Sequence, residues 1–283
     1  MTLILGLGML QTASAAAVKL YTNEGRAITL TEAARECQAY DVVFFNEFHD
    51  NRAVHEAQSE FFQAMYKQDA DLTLSLEMVE RDCQDVLNKY LRGEVDEEYF
   101  LSNSRPWKNY VSDYRPLVVF AKEHSLETVA ANIPRRMAAQ YARSGSLGGI
   151  DAGDRQYLPQ RHIVEQGAYY VKFKNYMQSA MGGKMPITPE RIDNLYKAQC
   201  LKDDTMAESI MLYAKQNPKK KIVHLQGSFH GAERLGVVEK LAIIAPQIKT
   251  VVITPIFIEA ERTIAENVAR YKHEGEYILF LEK

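Results

Sequence analysis

Glu47 and His49 stand two apart in the run VVFFNEFH, so on an extended segment their side chains leave the same face. A carboxylate beside an imidazole can share a proton or bind a cation. A second run, VHLQGSFH, ends in the same way at His230; each ending has a small turn-former, Asn46 or Gly227, then two residues and a histidine. Gly227 takes a positive φ freely and Asn46 tolerates one, so both turns are expected to aim a histidine out from a sheet edge. Glu77 closes the apolar run LTLSLEM, where a carboxylate needs a cationic or donor partner. Each residue alone could merely cap a helix or tie a loop. Gathered at the carboxyl ends of strands they make a site.

His55 and Gln58 fall one turn apart at the start of the next helical segment and can face the same strand ends, while Asp50 and Asn51 read as its N-cap pair. Arg135 follows Asn132-Ile133-Pro134 and opens a helix, where it is expected to neutralise Glu77 or bind an anionic ligand, with a surface salt bridge as the plainer alternative. Glu47, His49, Glu77 and His230 could hold Zn²⁺ or another divalent ion, although no H-E-x-x-H spacing marks a metal site. The chain has no G-x-S-x-G elbow, P-loop or strand-linked G-x-G-x-x-G, which sets aside serine hydrolases, NTPases and dinucleotide enzymes.

These residues need elements to carry them. Six strand-length apolar runs begin at Asp41, Leu72, Glu127, Lys221, Thr250 and Glu276. Most are continuous rather than alternating, as in strands covered on both faces. Helical periods fill Thr31–Ala39, Ala53–Lys67, Gln84–Tyr90, Tyr114–His124, Arg135–Arg143 and Glu233–Ala245. The fold class is therefore α/β, a central mostly parallel sheet covered by helices. Residues 145–218 contain no strand run and read as an α-helical insertion with helices over Asp154–Met181 and Thr188–Gln216, within one domain spanning 18–283.

The insertion carries a second signal. Tyr169, Phe173, Tyr176, Met177 and Ala180 fall on one helical stripe, with Lys172, Lys174 and Lys184 around it. Apolar surface ringed by cations suits a haem with its anionic propionates, and both tyrosine and histidine can be axial ligands, which makes His162 a second candidate. The plainer reading is a stripe packed on the core or on a second subunit.

With 46% hydrophobic and 25% charged residues the chain has the balance of a globular protein, and its net charge of −3 argues against a nucleic-acid partner. Residues 1–17 read as a signal peptide, apolar from Leu3 to Leu10 and small-residue rich before a cleavage point after Ala15 or Ala17, although no Lys or Arg precedes Lys19. Export is expected, into the periplasm or peripherally on a membrane. Cys37, Cys83 and Cys200 lack C-x-x-C spacing and leave one disulfide or buried free thiols equally open.

The segments DVVFFNEFHDNRAVHEAQ, LSLEMVERDCQDVLNKYLRG, VSDYRPLVVFAKEH, VAANIPRRMA, KAQCLKDDTMAESI and HLQGSFHGAERLGV, in this order between Asp41 and Lys240, resemble the ChaN family of haem-binding uptake proteins. That family is similar to Tiki-type proteases and erythromycin-esterase-like hydrolases. The resemblance implies Glu47, His49, Glu77 and His230 as site acids and histidines, with Arg135 as partner, and it departs at Asn46, where the motif would have Gly. It further implies an exported bacterial haem carrier working with an outer-membrane haem receptor, with haem held by a tyrosine at a homodimer interface. Tyr169 and Tyr170, with His162 and Lys172, are the candidates named here, while Tyr110, Tyr114, Tyr157 and Tyr176 stay open as ligands. Family members are often lipoproteins, and no cysteine lies near the cleavage point. The competing reading is a metal-dependent hydrolase.

Overall fold

The computed structural model describes residues 18–180 and 187–282, so the signal-peptide segment and Lys184 lie outside the described residues. A short antiparallel pair, β1 (Lys19–Thr22) and β2 (Ala27–Ile28), opens the fold. The six apolar runs form β3 (Val42–Glu47), β4 (Leu72–Glu80), β5 (Thr128–Asn132), β6 (Lys221–Gly227), β7 (Thr250–Phe257) and β8 (Tyr277–Leu281). They make one sheet in the order β2-β1-β8-β7-β3-β6-β4-β5, parallel from β8 to β5, with β1 antiparallel to both its neighbours.

The helices are α1 (Leu30–Cys37), α2 (Arg52–Gln68), α3 (Gln84–Leu91), α4 (Glu97–Ser104), α5 (Arg115–Glu123), α6 (Arg135–Ser144), α7 (Ala168–Ala180), α8 (Pro189–Gln216), α9 (Val237–Ile244) and α10 (Ile264–Tyr271). Their starts are chemical. Thr29 and Thr263 form capping boxes with Glu32 and Glu266, and the Asn51 side chain accepts from the Val54 N–H at 3.1 Å.

Two helical expectations are corrected. The segment expected as helix from Glu233 becomes regular only at Val237, because Glu233, Arg234 and Gly236 have φ of 63°, 58° and 56°, outside any right-handed helix. Likewise the helix expected from Asp154 begins only at Ala168, beyond Pro159 and Gly167, which interrupt it.

Alternate residues of the strands enter different cores. Val43 and Phe45 join Leu74, Leu76, Phe61 and Phe62 on the face covered by α1, α2, α3 and α5. Val42 and Phe44 join Ala131, Met206, Ile210 and Leu241 on the face covered by α8 and α9. Burial on both faces explains why these strands read as unbroken apolar runs. The second helix of the insertion is thus a layer of the domain core. The chain leaves β3 into α2 on one face and β6 into α9 on the other, so the neighbouring ends of β3 and β6 open a crevice between oppositely directed connections.

The three cysteines are free and buried, and burial pushes their thiols up to about 12. No described helix is long and apolar enough to cross a membrane. Phe45 is fully buried with its ring 5.5 Å from that of Phe61. Phe45→Ala is expected to cost about 3–5 kcal/mol, read as a lowered denaturant midpoint at unchanged slope.

Candidate functional site

In register, Glu47 pairs with Gly227 across β3 and β6, and Glu77 lies on β4 beside them. The Glu47 side chain is wholly buried and its carboxylate is fully engaged. Tyr114 donates its hydroxyl at 2.6 Å, Gln58 its amide at 3.0 Å, and His49 Nδ1 meets it at 2.8 Å. His55 closes the wall behind, its Nε2 at 3.2 Å from the His49 carbonyl, while Asn109 donates to the same carbonyl at 2.6 Å. The His49 side chain itself is 44% exposed, edge-on to Trp107 with ring centroids 4.8 Å apart. Partial burial works against its charge, but the hydrogen bond to Glu47 and the nearby Glu77 raise its pKa.

His230 is clamped instead. Its Nε2 lies 3.2 Å from Glu77 Oε1, and its Nδ1 contacts Asp203 on α8. Glu77 Oε2 accepts the Gly227 N–H at 2.7 Å. Burial opposes charge on both partners, yet each charge holds the other. Glu77 and Asp203 carry the His230 pKa up to about 10, and His230 and His49 keep the Glu77 carboxyl well below the usual carboxylate range. Beneath them His224 stays neutral, lowered to about 3 by burial, with Nδ1 2.8 Å from Ser75 Oγ.

The crevice thus holds four of the expected residues, Glu47, His49, Glu77 and His230, with His55 behind. Asp203, Gln199 and Tyr114 belong to it as well. Gln199 and Asp203 are i, i+4 on a helix face shared with apolar residues, and an acid on such a stripe is the signal that marks them.

Three expectations change. Arg135 does not neutralise Glu77: its Nε donates to Glu80 Oε1 at 2.5 Å, and Arg105 holds the other Glu80 oxygen at 2.9 Å. A register shift between Leu76 and Glu80 sets Glu80 beside Asn132, just ahead of Arg135. Neither turn uses a positive φ. Gly227 has φ −60°, and Asn46 lies within β3, donating to Thr254 Oγ1 at 2.9 Å and accepting from Gln226 at 3.0 Å. A Cβ at Gly227 would stand 2.7 Å from His49 Cε1 and Nε2, so the glycine leaves room for the His49 ring in this position. Finally, Glu47, His49, Glu77 and His230 are paired as acid and imidazole, and among the described residues they do not bring three ligand atoms within 4.8 Å of one another. Among the described residues the group with three ligand atoms within 4.8 Å is Glu233, His273 and Glu274, and Glu233 already takes the Lys172 ammonium at 2.7 Å.

The sequence gives the family directly: the model for haem-binding uptake proteins of the Tiki superfamily, ChaN, matches residues 33–241. This chain belongs to the ChaN family. No curated protein matches the sequence. Among solved structures, ChaN of Campylobacter jejuni, described for cofacial heme binding, superposes with a TM-score of 0.70 at 16% identity over 94% of this chain and 97% of that one. An erythromycin esterase mutant in its open conformation gives 0.54 at 11% identity over 92% and 97%, and the type III effector HopBA1 gives 0.51 at 10% over 96% and 99%. At these identities the likeness is one of fold.

In this ChaN family member the insertion residues divide by exposure. Tyr169 is buried between α7 and α8, its hydroxyl receiving the Gln199 amide at 3.1 Å, and burial with Asp203 raises its pKa well above the ordinary value. Tyr170 donates to Asp193 Oδ1 at 2.7 Å. His162 has both ring nitrogens occupied, by Asp204 at 2.7 Å and the Tyr141 hydroxyl at 3.1 Å. Tyr110 and Tyr114 are buried, Tyr157 is half-buried, and Tyr176 is 58% exposed. The α7 stripe therefore packs mainly on α8 and Phe229, with Tyr176 at its open margin.

Two outcomes follow from the crevice. Gly227→Ala should drive the His49 ring off Glu47, seen as a changed His49 imidazole titration by NMR. The His230 imidazole is raised from 6.5 to about 10 on folding, so its stabilisation is complete below about 6.5 and is lost as pH rises through about 10. The lowered Glu77 carboxyl acts in the opposite sense, stabilising above about 4.5 and losing its contribution in acid. Tm should fall from near-neutral pH toward pH 10, and His230→Gln should flatten that alkaline fall in calorimetric scans.

Proposed function

We propose that this protein is an exported haem carrier of bacterial iron or haem uptake, binding ferric haem through the Tyr176 phenolate on α7. The observation that carries the ligand assignment is the exposure of Tyr176 at 58%, with its ring 5.3 Å from Phe229 and Lys172 one turn before it. A phenolate is a hard anionic ligand suited to ferric haem, and with Lys172 engaged by Glu233 at 2.7 Å the exposed Lys174 of α7 is the cation suited to its propionates. Tyr169 and Tyr170 are disfavoured because burial or Asp193 engages their hydroxyls.

Cofacial heme binding by the Campylobacter jejuni relative supports a two-copy arrangement here, in which the Tyr176 face of α7 in each copy faces the other. An outer-membrane haem receptor is the expected partner for transfer. The crevice with Glu47, His49, His55, Glu77 and His230 is the second polar feature of the molecule, and Arg135 lies outside it on Glu80.

Hemin titrated into the purified protein should saturate near one equivalent per chain and develop a high-spin ferric tyrosinate charge-transfer band. Tyr176→Phe should abolish the band, whereas Tyr169→Phe and Tyr170→Phe should retain it. A spectrum identical to free hemin would sink the reading. Sedimentation with and without hemin should show a doubling of mass on loading, and a monomer at saturation would remove the two-copy arrangement.

A further inference from the structure

Phe229 connects the two halves of the molecule. Its ring lies 5.7, 5.9 and 5.3 Å from Tyr169, Phe173 and Tyr176, three successive turns of α7. The next residue is His230, held by Glu77 of β4 on one side and Asp203 of α8 on the other. Between β6 and this pair the chain runs through one short turn, Ser228–His230, and Ser228 Oγ donates to the Glu47 carbonyl at 3.0 Å. The backbone that presents Phe229 is thus pinned at both ends.

A second link runs beside the first. Gln199, one turn before Asp203, donates its amide to the Tyr169 hydroxyl at 3.1 Å. On the same loop Glu233 takes Lys172 of α7 at 2.7 Å. Aromatic contacts alone let rings slide, because the attraction is broad in angle and worth little per pair. An ion held by two carboxylates from different layers does not slide, since moving it strands buried charge. The backbone on either side of Phe229 is therefore held by Ser228 on the Glu47 carbonyl and by His230 on Glu77 and Asp203.

We propose that His230 is a positioning residue for haem binding, clamped by Glu77 and Asp203 so that Phe229 backs the Tyr176 ring and fixes its orientation toward iron. This rests on Tyr176 being the haem ligand. On this basis the crevice cluster acts on haem without touching it.

The test uses hemin titrations of the full chain carrying Phe229→Leu, Phe229→Trp or His230→Gln, each with Tyr176 present and in the Tyr176→Phe background. With Tyr176 present, Phe229→Leu and His230→Gln should each shift the tyrosinate charge-transfer band and weaken hemin binding by roughly tenfold. Phe229→Trp should keep the band in place. In the Tyr176→Phe background Phe229→Leu should change affinity by less than about twofold, since the backing no longer has a ligand to orient.

The proposal is overturned if Phe229→Leu leaves band and affinity unchanged with Tyr176 present, or if its loss is as large without Tyr176 as with it. Should His230→Gln fail to fold by circular dichroism, Phe229→Leu and the double-mutant comparison decide alone. If Tyr176→Phe itself keeps the wild-type band, the ligand assignment fails first and the positioning role falls with it.

Discussion

Glu77, His230 and Asp203 place three ionisable groups where water scarcely reaches, and the His230 ring bridges the two carboxyl groups there. That bridge joins β4, the end of β6 and α8 at one point. The Gly227 N–H closes on Glu77, and its bare Cα leaves room for the His49 ring. The bridge also fixes where the loop after β6 leaves the sheet, and with it the aromatic contact to α7. Removing one partner would leave a buried charge uncompensated, which costs far more than a lost surface ion pair.

The two histidines reached by similar sequence endings have opposite situations. His49 has one nitrogen on Glu47 and an exposed edge, so it can exchange protons with solvent. His230 spends both nitrogens on carboxylates and acts as a fixed cation. The arginines nearby form a separate network on Glu80 and Asp82, compensating charge at the end of β4 rather than at the crevice.

The relatives underline that a fold carries no function by itself. The same architecture superposes on a haem-binding ChaN, an erythromycin esterase and a bacterial effector. What separates them must lie in side chains. In this chain the exposed Tyr176 stands at the margin of an otherwise buried aromatic stripe, and the acids of the crevice are paired with imidazoles. Family membership rests on the match over residues 33–241, which spans the strand-end motifs and the whole insertion.

Sequence alone determined the strands β3 to β8, because burial on both faces leaves unbroken apolar runs, and it placed Glu47, His49 and His230 where β3 and β6 end, whereas Glu77, read as closing its run, lies inside β4, which continues to Glu80. It did not reveal β1 and β2, which are too short to show a pattern, or the break before α9, which depends on three consecutive-region residues adopting left-handed φ. Tertiary structure alone decided the pairings. Whether Arg135 meets Glu77 or Glu80 turns on a register shift within one strand, and whether a tyrosine of α7 is core or surface turns on which side of the helix meets α8 and Phe229. Periodicity places residues on a face, but which partner occupies the space opposite is set by contacts between segments far apart in the chain.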